Sequence, residues 1–311
     1  DQTKITAVFE YDSNLTRILT NEREDGSYSN DKIEGILGVE VIDTALRMYY
    51  RKGRFDGIFY IETTDLLNWT DPIEVVLPNE WYGLNRIGIF YHNGWKGHGG
   101  HNGSIYLFSS EDGINLNMVG KAFDWKIDTF YSFFFDENKN KYVAYGRVRG
   151  TAENGGWDSD SYPDIDRRGI SFHSNDTWGT DWSNPGQIIA DPMDYWDYNG
   201  EMIPDFYTPN VYWDENEHKY LTLTNVFWRE KDREITDYLR ISGNTRTTGE
   251  MYPIVMESSD GLHFTLKSEE PVIPLEPHRR YGYDPPWRQE SNSEQTCRSC
   301  YEVGQIVPFR K

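Results

Sequence analysis

The sequence predicts an all-β protein that forms a single five-bladed β-propeller over residues 1–311. Short runs of β-branched and aromatic residues, such as Leu46–Tyr50, Gly57–Ile61 and Tyr220–Leu223, are bounded by Gly, Asn, Asp and Pro along the chain. No segment keeps the apolar spacing of a three-turn amphipathic helix before a Gly or Pro interrupts it. Two internal repeats then indicate how the strands are grouped into blades.

The first repeat is a turn motif that follows a predicted strand in four places. It has the pattern Ser or Thr, any residue, Asp, commonly Gly, and then an aromatic residue. The aligned residues Asp65, Asp112, Asp176 and Asp260 are 47, 64 and 84 positions apart, close to one four-stranded blade each with growing insertions. Such an Asp caps a tight turn through its side chain, so we interpret these carboxylates as structural and the aromatic residues as packing between blades.

The second repeat marks the first strand of a blade. The segment that begins at Asp128 matches the segment that begins at Asp205, because each has an aromatic strand, an acidic turn and a Lys-Tyr pair. The five blades are predicted to begin near residues 33–37, 85–88, 128–130, 205–207 and 302–307. Since the fifth blade runs into the last residue, either a strand at residues 4–9 closes the propeller or the chain is a fragment of something longer.

Composition restricts the partners. Lys and Arg number 31 and Asp and Glu 51, which gives a net charge of −20, so nucleic acid and anionic membranes are excluded as partners. No apolar run is long enough to span a membrane. Aromatic residues make up 15% of the chain, which favours a carbohydrate as the partner. The oligomeric state stays open.

The compartment is predicted from modification signals. The chain starts at Asp1 rather than at Met, and it contains four N-glycosylation sequons. We therefore expect a secreted, extracellular glycoprotein. The sequons begin at Asn14, Asn68, Asn102 and Asn175.

Several segments together resemble a known enzyme group. They are Asp128–Arg147, the stretch from Asp166 to Ile170 with the loose turn motif behind it, and the strands at Arg47–Arg51 and Ile254–Phe264. This pattern resembles the five-bladed glycoside hydrolases of the furanosidase superfamily, and most of all the poorly characterised bacterial proteins beside families 32 and 43. The resemblance covers roughly residues 35–309, and it implies a funnel at the propeller axis lined by carboxylates at the starts of inner strands. The start, Arg-Asp-Pro and Glu-Cys signatures of family 32 are absent.

Acidic residues at the predicted inner-strand starts are the candidate catalytic groups, since glycosidic cleavage needs one protonated and one ionised carboxyl group. They are Glu34 (or Glu40), Asp128, Asp205 and Glu302. We assign Glu302 as the general acid and Asp128 as the group that orients and stabilises, while Asp205 or Glu34 activates water or attacks carbon. By resemblance to family 43, inversion of configuration is expected.

Substrate contacts are predicted from arginines near these acids and from aromatic rings in long insertions. The predicted substrate-binding residues are Arg86, Arg147, Arg168, His173, Tyr207 and Trp287. For His173, hydrogen bonding in the core or between blades is the alternative. Further candidate platforms are Trp157, Tyr162, Trp196 and Tyr198. No cofactor is required; the acidic insertion at residues 157–166 leaves a structural calcium ion possible.

Two functions follow from these residues. The first is hydrolysis of a glycosidic bond in a plant, algal or microbial oligo- or polysaccharide. The second is a non-catalytic extracellular propeller that binds glycans or serves in assembly. Convergence of two or three carboxylates in one axial pocket would favour the enzyme, and a pocket with a single acid would favour the binding protein.

Overall fold

The computed structural model describes eleven parts of the chain. They are residues 33–52, 57–78, 85–101, 104–124, 127–150, 167–180, 182, 187–196, 202–207, 209–230 and 249–267. Within these parts the chain forms antiparallel β-sheets and contains no α-helix; one short 3-10 turn lies at Pro192–Asp194. The prediction of an almost purely β protein is confirmed. No helix in the described parts is long and apolar enough to cross a membrane.

The first two blades are regular four-stranded meanders. Blade one contains β1 (Ile33–Ile42), β2 (Ala45–Lys52), β3 (Ile58–Thr63) and β4 (Ile73–Val75), paired in that order. Blade two contains β5 (Asn85–Tyr91), β6 (Trp95–His101), β7 (Ser104–Ser110) and β8 (Asn117–Asp124), again paired in order. Both blades begin where the sequence predicted.

Blade three repeats this arrangement with β9 (Ile127–Asp136), β10 (Lys141–Gly150), β11 (Arg167–Asn175) and β12 (Gln187–Ala190). Its first strand begins within one residue of the predicted start at Asp128.

Blade four departs from the regular pattern because its first strand is divided. Strands β13 (Met202–Phe206) and β14 (Asn210–Asp214) both pair with β15 (Lys219–Glu230), which is followed by β16 (Gly249–Ser258) and β17 (Thr265–Leu266). The expectation that Asp205 begins this strand is wrong. Asp205 is the fourth of the five residues of β13, immediately before the interruption, because pairing with β15 already starts at Met202.

The first strands of the four blades contact one another in sequence, β1 with β5, β5 with β9, and β9 with β14. They therefore surround the propeller axis. Close approach is possible at Gly38, where a β-carbon would lie 1.9 Å from the carbonyl oxygen of Ile89. The β-propeller is confirmed with four blades in the described parts; the predicted fifth blade at residues 302–307 and the closing strand at residues 4–9 lie outside them.

The repeated turn motif is structural, as predicted. The carboxylate of Asp112 accepts hydrogen bonds from the backbone N–H groups of Ile114 and Asn115, at 2.7 and 2.9 Å. These donors, together with the hydroxyl of Ser110, hold the pKa of Asp112 well below its usual range. Asp65 and Asp260 cap their turns in the same way.

The prediction that Asp176, in the fourth copy of this motif, caps its turn is wrong. There Asp176 is exposed and pairs with Lys141 at 3.0 Å, while the Asn175 side chain accepts a hydrogen bond from the backbone of Thr177 at 3.4 Å. In this copy the side chain of Asn175, rather than that of Asp176, accepts the backbone hydrogen bond within the turn.

These turns also join neighbouring blades. The hydroxyl of Tyr49 in blade one donates to the carbonyl of Gly113 in blade two, and Tyr145 in blade three donates to Gly261 in blade four, each at 3.0 Å. The aromatic residue that ends the motif also packs between blades, since the ring of Phe264 lies edge-on to Tyr145 with centroids 6.3 Å apart. The repeated turn therefore makes the same contact between blades one and two and between blades three and four.

A layer of stacked rings fills the gap between blades two and three. His98 of β6 stacks on Phe133 of β9 with ring centroids 4.3 Å apart, and Phe123 of β8 stacks on His173 of β11 at the same distance. His98 is almost fully buried, and within the described parts of the chain neither of its ring nitrogens has a hydrogen-bond partner. Burial lowers the pKa of His98 to about 3.

Candidate functional site

Asp205 and Arg168 meet at the junction of blades three and four. Strand β11 packs against β13, which brings Arg168 over the carboxylate of Asp205. One carboxylate oxygen accepts the backbone N–H of Arg168 at 2.8 Å, and the other accepts its guanidinium at 2.7 Å. Asp205 is 0% exposed, so this carboxylate lies behind the surface rather than on it.

Tyr207 lies in the interruption between β13 and β14, two residues after Asp205. Its ring is half-buried and has the guanidinium carbon of Arg147 4.0 Å from its centroid and that of Arg168 at 5.5 Å. Arg147 also donates to the carbonyl oxygen of Tyr207 at 3.3 Å. Three predicted substrate-binding residues, Arg147, Arg168 and Tyr207, and one predicted catalytic residue, Asp205, are therefore in one group beside the axis. We call these four residues the axial cluster.

The remaining predicted carboxylates are placed by their strands. Glu34 and Asp128 are the second residues of β1 and β9, and the predicted substrate contact Arg86 is the second residue of β5. These residues therefore lie near the starts of first strands, and both their convergence in one pocket and their chemical roles stay predictions. Glu302 and Trp287 lie outside the described residues.

His173 is placed apart from the axial cluster. It is fully buried, and its ring stacks on Phe123 between blades two and three. It follows Arg168 by five positions on an extended strand, which separates the two residues by about 16 Å. The structure therefore places the His173 ring in the interblade core, where it stacks on Phe123.

Of the additional aromatic platforms, only Trp196 lies in the described parts. It packs on Phe206 with ring centroids 5.8 Å apart, so it covers the core of blade four. Trp157, Tyr162 and Tyr198 lie outside those parts, as does the acidic insertion considered for calcium. Among the described residues no group of three or more His, Cys, Asp or Glu side chains could hold a metal ion.

A second buried ion pair was missed by the sequence reasoning. Arg167 directs its Nε to both carboxylate oxygens of Asp191, at 2.8 and 3.0 Å, and both side chains are buried. Asp191 also caps the 3-10 turn through the backbone N–H of Met193. Two adjacent arginines on one strand were the available signal, because successive side chains point to opposite faces and each needs its own partner.

Comparison with known proteins adds information about the fold. No protein family model and no curated protein matches the sequence. Among solved structures, an N-acetylgalactosamine deacetylase from F. plautii, in complex with blood group B trisaccharide, superposes with a TM-score of 0.50 at 11% identity, over 81% of this chain and 74% of that one. A thermostable family-43 glycoside hydrolase superposes with a TM-score of 0.50 at 14% identity, over 80% and 78%. The shared property is the propeller fold. The resemblance drawn from the sequence is thus confirmed at the level of fold.

Proposed function

We propose that the protein is a glycoside hydrolase whose substrate binds beside the propeller axis at blades three and four. The observation that carries the proposal is the axial cluster, in which residues from two blades bring arginine, carboxylate and a half-buried aromatic ring together. Aromatic faces and charged donors are the groups that bind sugars. The likeness in fold to a family-43 glycoside hydrolase supports this choice.

The proposed reaction uses carboxyl groups from different blades. Glu302 protonates the glycosidic oxygen as the bond to the anomeric carbon breaks, and Glu34 takes a proton from the water that attacks this carbon. Asp128 orients the reacting groups and stabilises positive charge on the sugar. In an inverting enzyme the acid and the base are about 6.5–9.5 Å apart, which leaves room for the water. Asp205, also predicted for the water-activating role, is buried beneath Arg168.

The experiment is an activity screen of the full chain on plant, algal and microbial oligosaccharides, followed by Glu302→Gln on an ordinary substrate and on one with an activated leaving group. A general acid matters little when the leaving group is good, so the activated substrate should recover most of the rate. Equal impairment on both substrates, or none on either, would remove Glu302 from this role. Asp128→Asn should lower the rate on both substrates.

A non-catalytic glycan-binding propeller is the second candidate, and one observation favours it. The axial cluster contains one carboxylate, Asp205, and both of its oxygens accept hydrogen bonds from Arg168, which is the single-acid arrangement expected of a binding protein. Such a protein would bind oligosaccharides and release no new reducing ends. Measuring binding and reducing ends on the same panel separates the two candidates.

We also propose that the protein is secreted and carries N-linked glycan. The sequon at Asn68 supports this because it lies on an exposed turn, where its amide donates to Asp65 at 2.7 Å. The test is mass spectrometry of the protein from its native source before and after enzymatic removal of N-glycans. An unchanged mass would contradict glycosylation.

A further inference from the structure

The interruption of the first strand of blade four holds one half-buried aromatic ring where blades three and four meet. Phe206 and Pro209 on either side are buried, whereas Tyr207 between them is half-buried. Blade three packs against both halves of this divided strand, β11 against β13 and β9 against β14. The Tyr207 ring therefore lies beside the arginines of blade three, Arg147 and Arg168, and keeps part of its surface accessible.

Four contacts hold this ring and its peptide. The N–H of Tyr207 donates to the carbonyl of Asn225 at 2.8 Å, and its own carbonyl accepts from Arg147. The Arg147 guanidinium then lies over the ring, at 4.0 Å from the centroid, and the edge of Phe227 approaches it with centroids 5.8 Å apart. A ring held in this manner loses little freedom on binding, which is the condition for an efficient stacking surface.

Asp205 contributes to the same arrangement through Arg168. A catalytic carboxyl group must come within about 2.6–3.2 Å of the atom to which it transfers a proton. The carboxylate of Asp205 is 0% exposed, and its two oxygens hold the backbone and the guanidinium of Arg168. That guanidinium lies 5.5 Å from the centroid of the Tyr207 ring, so Arg168 links the buried Asp205 to the ring.

We propose that Tyr207 is the ring on which a sugar stacks in the axial site, and that Asp205 is a positioning residue that holds Arg168 beside this ring. This inference rests on the proposed function in one respect, namely that the ligand is a glycan. It applies to a hydrolase and to a glycan-binding protein alike, because both need the stacking surface. The apolar C–H face of a pyranose or furanose is the part of the ligand that the ring would contact.

The first experiment measures binding and hydrolysis of arabinotriose, xylotriose, galactotriose and a digest of plant cell-wall polysaccharide by the full wild-type chain and by Tyr207→Ala. Loss of the ring should raise Kd or KM about tenfold or more, with a much smaller change in kcat. Tyr207→Phe, which keeps the ring, should recover most of the affinity. Tyr91→Ala is the matched control, because Tyr91 is an exposed aromatic residue at the end of β5.

The results separate the two proposals. A wild-type chain that binds and cleaves none of the probes overturns the proposed function and the stacking surface with it. A wild-type chain that binds a probe, with Tyr207→Ala binding equally well while its thermal unfolding is unchanged, overturns the stacking surface alone. An effect of Tyr91→Ala as large as that of Tyr207→Ala also overturns it.

The role of Asp205 is tested on the same probe with Asp205→Asn. If Asp205 is a positioning residue, Asp205→Asn should raise KM or Kd as Tyr207→Ala does and leave the pH profile of kcat unchanged. If Asp205 is instead a catalytic acid or base, the substitution should lower kcat by about 10²–10⁴-fold and remove one limb of that profile. If Asp205→Asn does not fold, the double variant Asp205→Leu with Arg168→Met, which removes both buried charges, takes its place. A collapse of kcat in the folded variant, with KM unchanged, overturns the positioning role.

Discussion

The buried imidazole of His98 predicts how acid destabilises the propeller. Its pKa falls from 6.5 in the unfolded chain to about 3 in the folded protein, because burial against Phe133 disfavours the charged ring. Between these two pH values His98 is protonated in the unfolded state and neutral in the folded state. The folded protein therefore loses stability as the pH falls from about 6.5 towards 3. One pKa unit corresponds to about 1.4 kcal/mol, so the loss reaches about 5 kcal/mol below pH 3.

The perturbation is His98→Phe, which keeps the stacked ring and removes both buried nitrogens. At pH 5.5, one unit below the unfolded pKa, His98 should account for a loss of about 1.4 kcal/mol relative to pH 7.5. The variant should be missing this part of the pH dependence. At pH 7.5 it should be at least as stable as the wild type, because an unpartnered buried polar group costs about 1–3 kcal/mol.

The assay is urea unfolding followed by tryptophan fluorescence at both pH values, which stay above the sequence pI of about 4.7. His218→Asn is the control, since His218 is exposed and its φ of 50° suits asparagine. It should leave the difference between the two pH values as it is in the wild type. An identical pH difference in His98→Phe and the wild type would refute the reasoning.

Two further substitutions test the joints of the fold. Gly113→Ala should lower the free energy of unfolding by about 1–3 kcal/mol, because φ is 75° there and a β-carbon would lie 2.3 Å from the hydroxyl of Tyr49. Gly179→Ala is the control, because φ there is not in the left-handed region and the β-carbon would meet only the side-chain hydroxyl of the exposed Thr177, at 3.3 Å. It should change the free energy of unfolding by less than about 0.5 kcal/mol, and equal losses in urea titrations would contradict the argument. Arg167→Gln leaves the buried carboxylate of Asp191 without its cation and should cost about 3–5 kcal/mol, and a shift under about 1 kcal/mol in the same assay would show that the pair is dispensable.

The sequence was sufficient for the class of fold and for three of the blade starts. Short runs of β-branched and aromatic residues and the repeated Asp turns are local signals, since each turn is capped by hydrogen bonds within a few residues of Asp65, Asp112 or Asp260. The predicted starts of the first strands also led to Glu34 (or Glu40) in blade one and Asp128 in blade three, and both Glu34 and Asp128 are second residues of such strands. The turn at Asp176 shows that Ser-x-Asp by itself does not decide the cap, because Ser174 and Asp176 fit this pattern while Asp176 pairs with Lys141 instead.

The axial cluster was only partly predictable. Arg147, Arg168, Asp205 and Tyr207 were each chosen as site residues, but their partners were not, because contacts between β11 and β13 join positions 37 residues apart. The division of blade four's first strand depends on where pairing with β15 begins and stops, and no local pattern encodes that register.

By itself the sequence determined an acidic β-propeller with capped turns and with carboxylates near strand starts. The strands and turns follow from residue types within short windows, and the blades follow from repeats of those windows along the chain. Only the tertiary structure decided which of these charges are buried and against what. Asp205 is enclosed by Arg168 from the preceding blade, and His98 by Phe133 from the next one. Burial and pairing across blades set the energy of a charged group, and they exist only once distant segments have packed together.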